Sequence, residues 1–326
     1  VQPIPQPHVL AKSDRWTPAA PACAVTVGNF DGVHLGHAAI VRRLLAVAGE
    51  RGIPAIALTF DPHPASIVRP GAEPVPLSTP RRRAELLAAL GLDAVLVQPT
   101  DRSLVALDAR AFYADILRGR LRAAAIVEGP DFRFGAGRGG DVGLLESLGR
   151  ADGVTVEAVP AVAIDGLPVS SSRIRGLVAE GRLREAGRLL TQPYRLSGTV
   201  GEGAKRGGPM GFPTANLAGI VTLLPATGVY AARASIDGDT ATWPAAVHVG
   251  PNVSFGEQAV SVEAHLIGFA GDLYGRTLDV DFLDRLRDTR KFASVDDLKA
   301  QLAVDVDHAA RVVRTFPGGD DHHGVS

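Results

Sequence analysis

The apolar positions of the chain follow two different patterns. From Ala22 to about residue 188, short apolar runs alternate with segments of helical period. CAVTV (23–27), IPAIALTF (53–60), DAVLVQP (93–99), AAAIVEG (123–129) and VTVEAVP (154–160) are mainly apolar and of strand length. Between the first two, Ile40, Val41, Leu44 and Leu45 recur at helical spacing over about 37–48. Thr79-Pro80 opens a second helical stretch that Gly91 ends, and Asp108 suits the cap of a third, running to about Arg118. GLLESLGR (143–150) supplies a fourth. Strand and helix in alternation predict a parallel sheet covered by helices on both faces.

After about Leu190 the texture changes. YRLSGTV, GVYAARASI, WPAAVHVG, AVSVEAHLIGF and TLDVDFL follow one another with turn signals such as Asp237-Gly238-Asp239 between them. Strands without long helices predict an antiparallel sandwich or barrel. One helix closes the pattern, with Ser294 as its cap, Asp297 three residues on, and Leu298, Leu302 and Val306 as its apolar stripe. The proline-bearing first twenty residues read as a loose lead-in, and the tail FPGGDDHHGVS as solvated chain whose His322-His323 pair holds metal weakly at most. The expected division is therefore an α/β domain over 22–188 and a β-rich domain over 193–312, joined at LLTQPY (189–194).

Composition narrows the classes. The chain has 326 residues, of which 46% are hydrophobic and 21% charged, enough for two packed cores. A formal net charge of −1 argues against holding nucleic acid by broad phosphate neutralisation. Cys23 alone builds neither a disulfide framework nor a cysteine-rich zinc site, and a small buried thiol is its expected role. VQPIPQPHVLAKSDRW lacks the apolar core of a secretion signal, and no apolar run is long enough to span a bilayer. A cytoplasmic protein without nucleic-acid or membrane partners is expected, and its oligomeric state is unknown from sequence.

Two stretches carry candidate chemistry. GNFDGVHLGH (28–37) follows the first strand and enters a helix. That is where a parallel sheet places ligands and where helix N–H groups favour an anion. Spacing of three sets His34 and His37 on one face, where they can donate hydrogen bonds to phosphate oxygens, and Gly36 permits close approach to the backbone. The plain alternative is two surface histidines; zinc lacks a third ligand at useful spacing. Ser171, Ser172 and Arg175 in SSSRIR offer hydroxyls, N–H groups and a cation to phosphate, or else form an ordinary serine cap with a surface arginine. The second stretch is KRGGPMGFPTANL (205–217). Gly207, Gly208 and Gly211 allow a pliable phosphate cover, and Thr214 and Asn216 share one side of an extended segment, as hard-cation ligands would. Its plain alternative is a polar β-turn.

GNFDGVHLGH resembles the motif of HxGH nucleotidylyltransferases, and its form resembles their flavin-adenylating branch, the prokaryotic bifunctional riboflavin kinase/FAD synthetase family. TFDPHP (59–64), GPDFRFGAGRGGD (129–141) and VSSSRIR (169–175) resemble further elements of the adenylylating half. GFPTAN (211–216), SVEAHLIGFAGDLYG (261–275) and LRDTRKF (286–292) resemble elements of the kinase half. The resemblance spans roughly 22–312. It implies a Rossmann-like nucleotidylyltransferase domain, then a small closed riboflavin-kinase barrel with a C-terminal helix.

The resemblance also implies roles. Gly28, Asn29, Phe30, Asp31, His34, Gly36 and His37 belong to the ATP site with Ser171, Ser172 and Arg175, and Asp131 and Phe132 lie near the flavin. Gly207 and Gly211 cover ATP in the second domain, Thr214 and Asn216 hold Mg²⁺, Glu263 is the base, and Arg287 lies on the flavin side. The implied activity is ATP-dependent conversion of riboflavin to FMN, then adenylyl transfer from ATP to FMN giving FAD and pyrophosphate. This sequence departs from the family at Gly208, His248, Val253 and Thr289 and keeps Thr214, Asn216 and Glu263. An FAD synthetase with an impaired kinase, a catalytically silent flavin-binding regulator, and a nucleotidylyltransferase for another acceptor remain the alternatives.

Overall fold

The computed structural model describes residues 8–12, 21–202, 211–251 and 259–316. The chain divides into two compact units, residues 1–171 and 172–326.

The first unit runs β1 (His8–Lys12), β2 (Cys23–Val27), α1 (Leu35–Arg51), β3 (Ala55–Asp61), α2 (Pro64–Val68), α3 (Pro80–Ala89), β4 (Ala94–Pro99), α4 (Arg102–Ala106) and α5 (Ala109–Ala111), which widens into π-type turns over Phe112–Arg120. It continues through β5 (Ala123–Glu128), the ribbon β6 (Arg133–Phe134) and β7 (Gly140–Asp141), α6 (Val142–Asp152), β8 (Thr155–Ala158), and the small hairpin β9 (Ala163–Ile164) and β10 (Leu167–Pro168). Six strands form one sheet in the order β1-β4-β3-β2-β5-β8, every pair parallel.

The strand sequences are continuously apolar because both faces of this sheet are covered. Cys23, Val25, Val27, Ile56 and Leu58 pack with Phe112, Leu117 and Leu145 on one face. Ala24, Ala55 and Ala57 pack with Val41, Leu44 and Leu87 on the other. Local signals set the helix ends. Thr79 Oγ1 accepts from the Arg82 N–H at 3.1 Å with Pro80 in the first turn, and Asp108 Oδ1 accepts from the Ala111 N–H at 2.8 Å. Gly52, at φ +61°, ends α1.

One expectation is corrected here. His8–Lys12 is not loose lead-in but a parallel strand beside β4, aligned His8 with Ala94 and Lys12 with Val97. Without it β4 would present an unpaired edge of N–H and C=O groups. Five residues between proline-bearing stretches suffice to cover it, and periodicity has little to register in so short a segment.

The second unit contains α7 (Ser171–Ala179), α8 (Leu183–Leu189), β11 (Tyr194–Gly201), β12 (Ala215–Ala218), β13 (Gly228–Ile236), β14 (Trp243–Gly250), β15 (Ser261–Leu266), β16 (Thr277–Arg287) and α9 (Val295–Thr315). Its strands close into a barrel in the order β11-β12-β15-β14-β13-β16, all pairs antiparallel. Of the two antiparallel architectures expected, the barrel is the one formed. Closure leaves inward positions buried and outward ones accessible: Val262, Ala264 and Leu266 alternate with Ser261, Glu263 and His265. The turn at Asp237-Gly238 has φ of +52° and +76°, as a tight hairpin needs.

Tyr230 and Phe282 are the largest fully buried side chains of this unit and meet edge to face at 5.4 Å. Ser294 caps α9 by accepting from the Asp297 N–H at 3.1 Å, and Leu298, Leu302 and Val306 are half-buried along it. The helix adds a buried ion pair, Asp305 with Arg287 at 2.6 Å. The His322-His323 pair lies outside the described residues. Phe282→Ala should cost ~3–5 kcal/mol of barrel stability, the usual loss for a buried aromatic. Urea unfolding followed by a barrel-specific probe measures it, and a loss below ~1 kcal/mol would contradict the packing.

Candidate active site

In the first unit β3 lies on one side of β2 and β5 on the other, so the strand order reverses between β2 and β5. A crevice opens beyond the carboxyl ends of strands at such a point. The loop from Gly28 to Val33 crosses it, with Phe30 at φ +48° and Val33 at φ +40°, then enters α1.

His34 is the N-cap of α1. Its Nδ1 accepts from the His37 N–H at 3.3 Å, and His37 Nδ1 accepts from the His34 N–H at 3.3 Å. This is a capping box built from two imidazoles. The rings stack at 3.6 Å and 14°, and Phe30 meets His37 edge-on at 5.2 Å. Both Nδ1 lone pairs are engaged, so in the neutral rings the proton sits on Nε2. Burial lowers the His34 pKa to about 4, and burial, with the charge of Arg83 and repulsion between the two rings were both protonated, holds His37 well below the usual range. Both rings are therefore neutral Nε2–H donors at pH 7.

Two clefts meet here. One of about 260 Å³ is lined by His34, Gly36, His37, Glu128, Asp131 and Val169 among others. The other, of about 560 Å³, has aromatic walls, Phe60, Phe112, Phe132 and Phe134, with Asn29, His63, Arg69 and Arg138 around them. Val27, Gly28, Asp131 and Phe132 line both. Phe134 belongs to the core, whereas Phe132 is half-buried and stacks on it at 5.5 Å.

Other expected residues are placed as follows. A side chain at Gly36 would meet His34 Cε1 at 3.0 Å, so the close approach there is made by the imidazole itself. The Asp31 carboxylate is buried and accepts from the N–H groups of Leu77 and Ser78 and from the Ser78 hydroxyl, all within 3.0 Å. It fastens the loop rather than facing either cleft. Its carbonyl accepts from Ser171 Oγ at 2.8 Å. His63 Nδ1 accepts from the Ala65 N–H at 3.0 Å, and Asn29 Nδ2 lies 2.9 Å from His63 Nε2. Ser172 and Arg175 lie in the first turns of α7, exposed and half-buried respectively, and are counted with the second unit.

Two buried ionisable residues of the first unit went unread in the sequence. Arg83, third in the Arg81–Arg83 run, turns inward to donate to Thr59 Oγ1 at 3.1 Å and approaches Asp31 at 3.9 Å. Its signal was its place beside Ala84 and Leu87 on the apolar face of α3. Glu128 ends β5 and is 2% exposed. Its signal was a lone acid at the carboxyl end of an otherwise apolar strand.

In the barrel, Asn216, Glu263 and His248 form one row on the outward face, because Asn216 pairs with Glu263 across β12–β15 and Glu263 with His248 across β15–β14. The Ser261 hydroxyl donates to Glu263 Oε1 at 3.1 Å. Burial lowers the His248 pKa, Glu263 pulls it up and Arg287 pushes it down. Arg287 is gripped by Asp305 through Nε at 2.9 Å and a terminal nitrogen at 2.6 Å. Thr214 is exposed just before β12, and Gly211 sits at φ +87°. Gly207, Gly208 and Val253 lie outside the described residues.

Comparison with known proteins agrees with this layout. A family model described as FAD synthetase matches residues 17–173, and one described as riboflavin kinase matches 190–313. A bifunctional riboflavin kinase/FMN adenylyltransferase of Pseudomonas fluorescens is 40% identical over 286 residues, 87% of this chain and 91% of the relative. Proteins of that name from Escherichia coli (strain K12) and Listeria monocytogenes are 36% and 35% identical, covering 87% and 91% of this chain and 90% and 94% of their own. A solved structure described as a macrolide-efflux protein from Streptococcus pneumoniae is 30% identical, with a TM-score of 0.80, and covers 94% of this chain and 99% of its own. Among the described residues of the present chain, no helix is long and apolar enough to cross a membrane. By motif order, fold and identity over most of its length, the chain belongs to the bifunctional riboflavin kinase/FMN adenylyltransferase family.

Proposed function

We infer that the chain performs two successive ATP-dependent reactions: phosphorylation of riboflavin to FMN, then transfer of the AMP moiety of ATP to FMN, releasing pyrophosphate and forming FAD. Adenylyl transfer is assigned to residues 22–188 and phosphorylation to 193–312. The observation that carries the first assignment is the imidazole box, which aims two neutral donors at a cleft in the crevice between β2 and β5.

In adenylyl transfer a phosphate oxygen of FMN attacks the α-phosphorus of ATP, and the bond to pyrophosphate breaks. The FMN phosphate is already ionised at neutral pH, so no strong base is needed. Orientation and stabilisation of developing charge supply the rate. His34 and His37 donate from Nε2 to phosphate oxygens, joined by the first N–H groups of α1 beyond the Gly28–Asn29–Phe30 turn. Asp31 and Gly36 act through the loop and ring they hold in place. Ser171, Ser172 and Arg175 meet the departing pyrophosphate. The flavin takes the aromatic cleft, against Phe132 and near Asp131.

In the kinase reaction Glu263 accepts the proton of the ribityl 5′-hydroxyl as that oxygen attacks the γ-phosphorus of ATP, and ADP leaves. Ser261 fixes the Glu263 carboxylate from its own strand. Arg287, held by Asp305, borders the flavin, and Gly207 and Gly211 belong to the cover over ATP. Thr214 and Asn216 present a hydroxyl and an amide oxygen, a donor set that fits Mg²⁺, and neither side chain is hydrogen-bonded among the described residues. Held by those two residues, the ion would neutralise charge on the ATP phosphates.

Incubation with riboflavin, ATP and Mg²⁺, with flavins resolved by chromatography, should yield FMN and then FAD; no flavin product would refute the proposal. Glu263→Ala should abolish FMN formation while conversion of supplied FMN to FAD survives. Loss of both would overturn the assignment of the two reactions to separate domains.

The histidine box adds a pH dependence. The folded pKa of His34, about 4, lies below its unfolded value of 6.5. Stability from the neutral ring is thus complete above 6.5 and is lost as pH falls toward 4. His34→Asn, which keeps a capping acceptor that cannot titrate, should flatten the fall in urea midpoint over that interval. An unchanged slope would show that the ring is not held neutral.

A further inference from the structure

Glu128 is a buried acid that the mechanism above does not use. The backbone ladder between β2 and β5 pairs Ala24 with Ala125 and Val25 with Ile126, then stops. Beyond it, Glu128 Oε1 reaches across and accepts from the Val27 N–H at 2.6 Å. The Glu128 carbonyl meanwhile accepts from the Val159 N–H at 2.8 Å, on the β8 side. A side-chain carboxyl thus replaces a ladder carbonyl where β2 and β5 part. The gap that opens there is the cleft lined by Glu128, His34 and His37.

We propose that Glu128, as a neutral carboxylic acid, is a positioning residue for adenylyl transfer: it fastens the end of β2 so that the following loop and the two imidazoles stand at the mouth of the nucleotide cleft. The proposal rests on the adenylyl-transfer reading of that cleft.

The surroundings favour the acid form. From α1 the titratable groups sharing the cleft are His34 and His37, both neutral at pH 7. From the loop after β5 there is Asp131, which adds no positive charge. On β2 the neighbour is the uncharged Thr26. On β8 the acid Glu157 is tied to Arg43 at 2.6 Å. Arg83 faces Asp31 and Thr59 behind the loop. Among the described residues no cation pairs with Glu128, and burial pushes its pKa well above the ordinary carboxylate range. The Val27 N–H and the neighbouring Thr26 hydroxyl favour the ionised form, and burial outweighs both.

Glutamine keeps the length, the acceptor for Val27 and neutrality at every pH. With Glu128→Gln, conversion of FMN to FAD at pH 7 should stay within about threefold of wild type, whereas Glu128→Ala should lose about tenfold or more in kcat/KM for ATP. Wild type should lose adenylyl transfer toward alkaline pH relative to riboflavin phosphorylation by the same chain, and Glu128→Gln should not. The kinase reaction, measured in each variant, controls for protein amount, and urea unfolding of each variant controls for folding of the first unit. A glutamine variant as impaired as the alanine one, or an alkaline fall identical in both proteins, would overturn the proposal. Absence of FAD from wild type at every pH would instead overturn the reading of the cleft on which it rests.

Stability gives a second readout with a defined sign. A folded pKa raised above the unfolded value contributes stability that is complete below about pH 4.5 and is lost as pH rises through the folded value. The urea midpoint of wild type should therefore fall relative to Glu128→Gln as pH climbs from 4.5. A constant difference between the two would overturn the neutral-acid assignment.

Discussion

The start of α1 at the crevice depends on two long hydrogen bonds, each donated by the backbone N–H of one histidine to the ring of the other. A helix start leaves N–H groups without partners, and His34 and His37 satisfy two of them. That ordinary capping task has a chemical consequence. It engages both Nδ1 atoms, which places both protons on Nε2 and makes a protonated ring incompatible with the cap. Around this box the structure is arranged to keep it. Gly36 has no side chain to push His34 aside. Asp31 ties the preceding loop to Leu77 and Ser78, and Arg83 adds a positive charge that disfavours protonation of His37.

The two sheets present their chemistry in different ways. The parallel sheet buries both faces, so its side chains are committed to packing and function is confined to the ends of strands. Reactive groups there come from loops, caps and the single acid that terminates β5. The barrel buries its inner face and leaves part of its outer face accessible, as on β15, where side chains can meet a ligand. Asn216, Glu263 and His248 meet on three neighbouring strands because outward positions fall in register. A helix-terminal site aims dipoles at phosphate, whereas a strand-row site lines up side chains beside one another. This difference fits the two proposed reactions, one without a base in the first unit and one with Glu263 as its proposed base in the second.

Periodicity carried most of the architecture, because each core strand has a purely local signature. Beta-strand Cys23–Val27 and helix Leu35–Arg51 could be read that way, as could the cap at Ser294. The strand His8–Lys12 could not, since its reason for existing is the bare edge of a strand some eighty residues away. The motif around His34 and His37 was legible as chemistry, but the division of labour within it was not. Asp31 reads as a phosphate-site residue and is in fact a loop fastener, and Gly36 makes room for a ring of its own motif. By resemblance Arg287 is placed on the flavin side, and α9 returns to hold it through Asp305. Each of these depends on a partner distant in sequence, which neither spacing nor composition encodes.

The buried titratable groups of the nucleotide cleft share one property: the structure holds them uncharged. Burial drives the two imidazoles toward the base form and Glu128 toward the acid form, so the same desolvation acts in opposite directions on opposite chemical types. A cleft of neutral donors is matched to a substrate that brings several negative charges of its own. Contacts that bind the ground state as firmly as the transition state gain nothing in rate. Oriented N–H groups instead strengthen as charge shifts onto the oxygens they face, and being already fixed they need little reorganisation when it does. On the proposed reading the neutrality of the cleft has a catalytic meaning, and the cost of burying its histidines and its acid is the cost of keeping those donors in place.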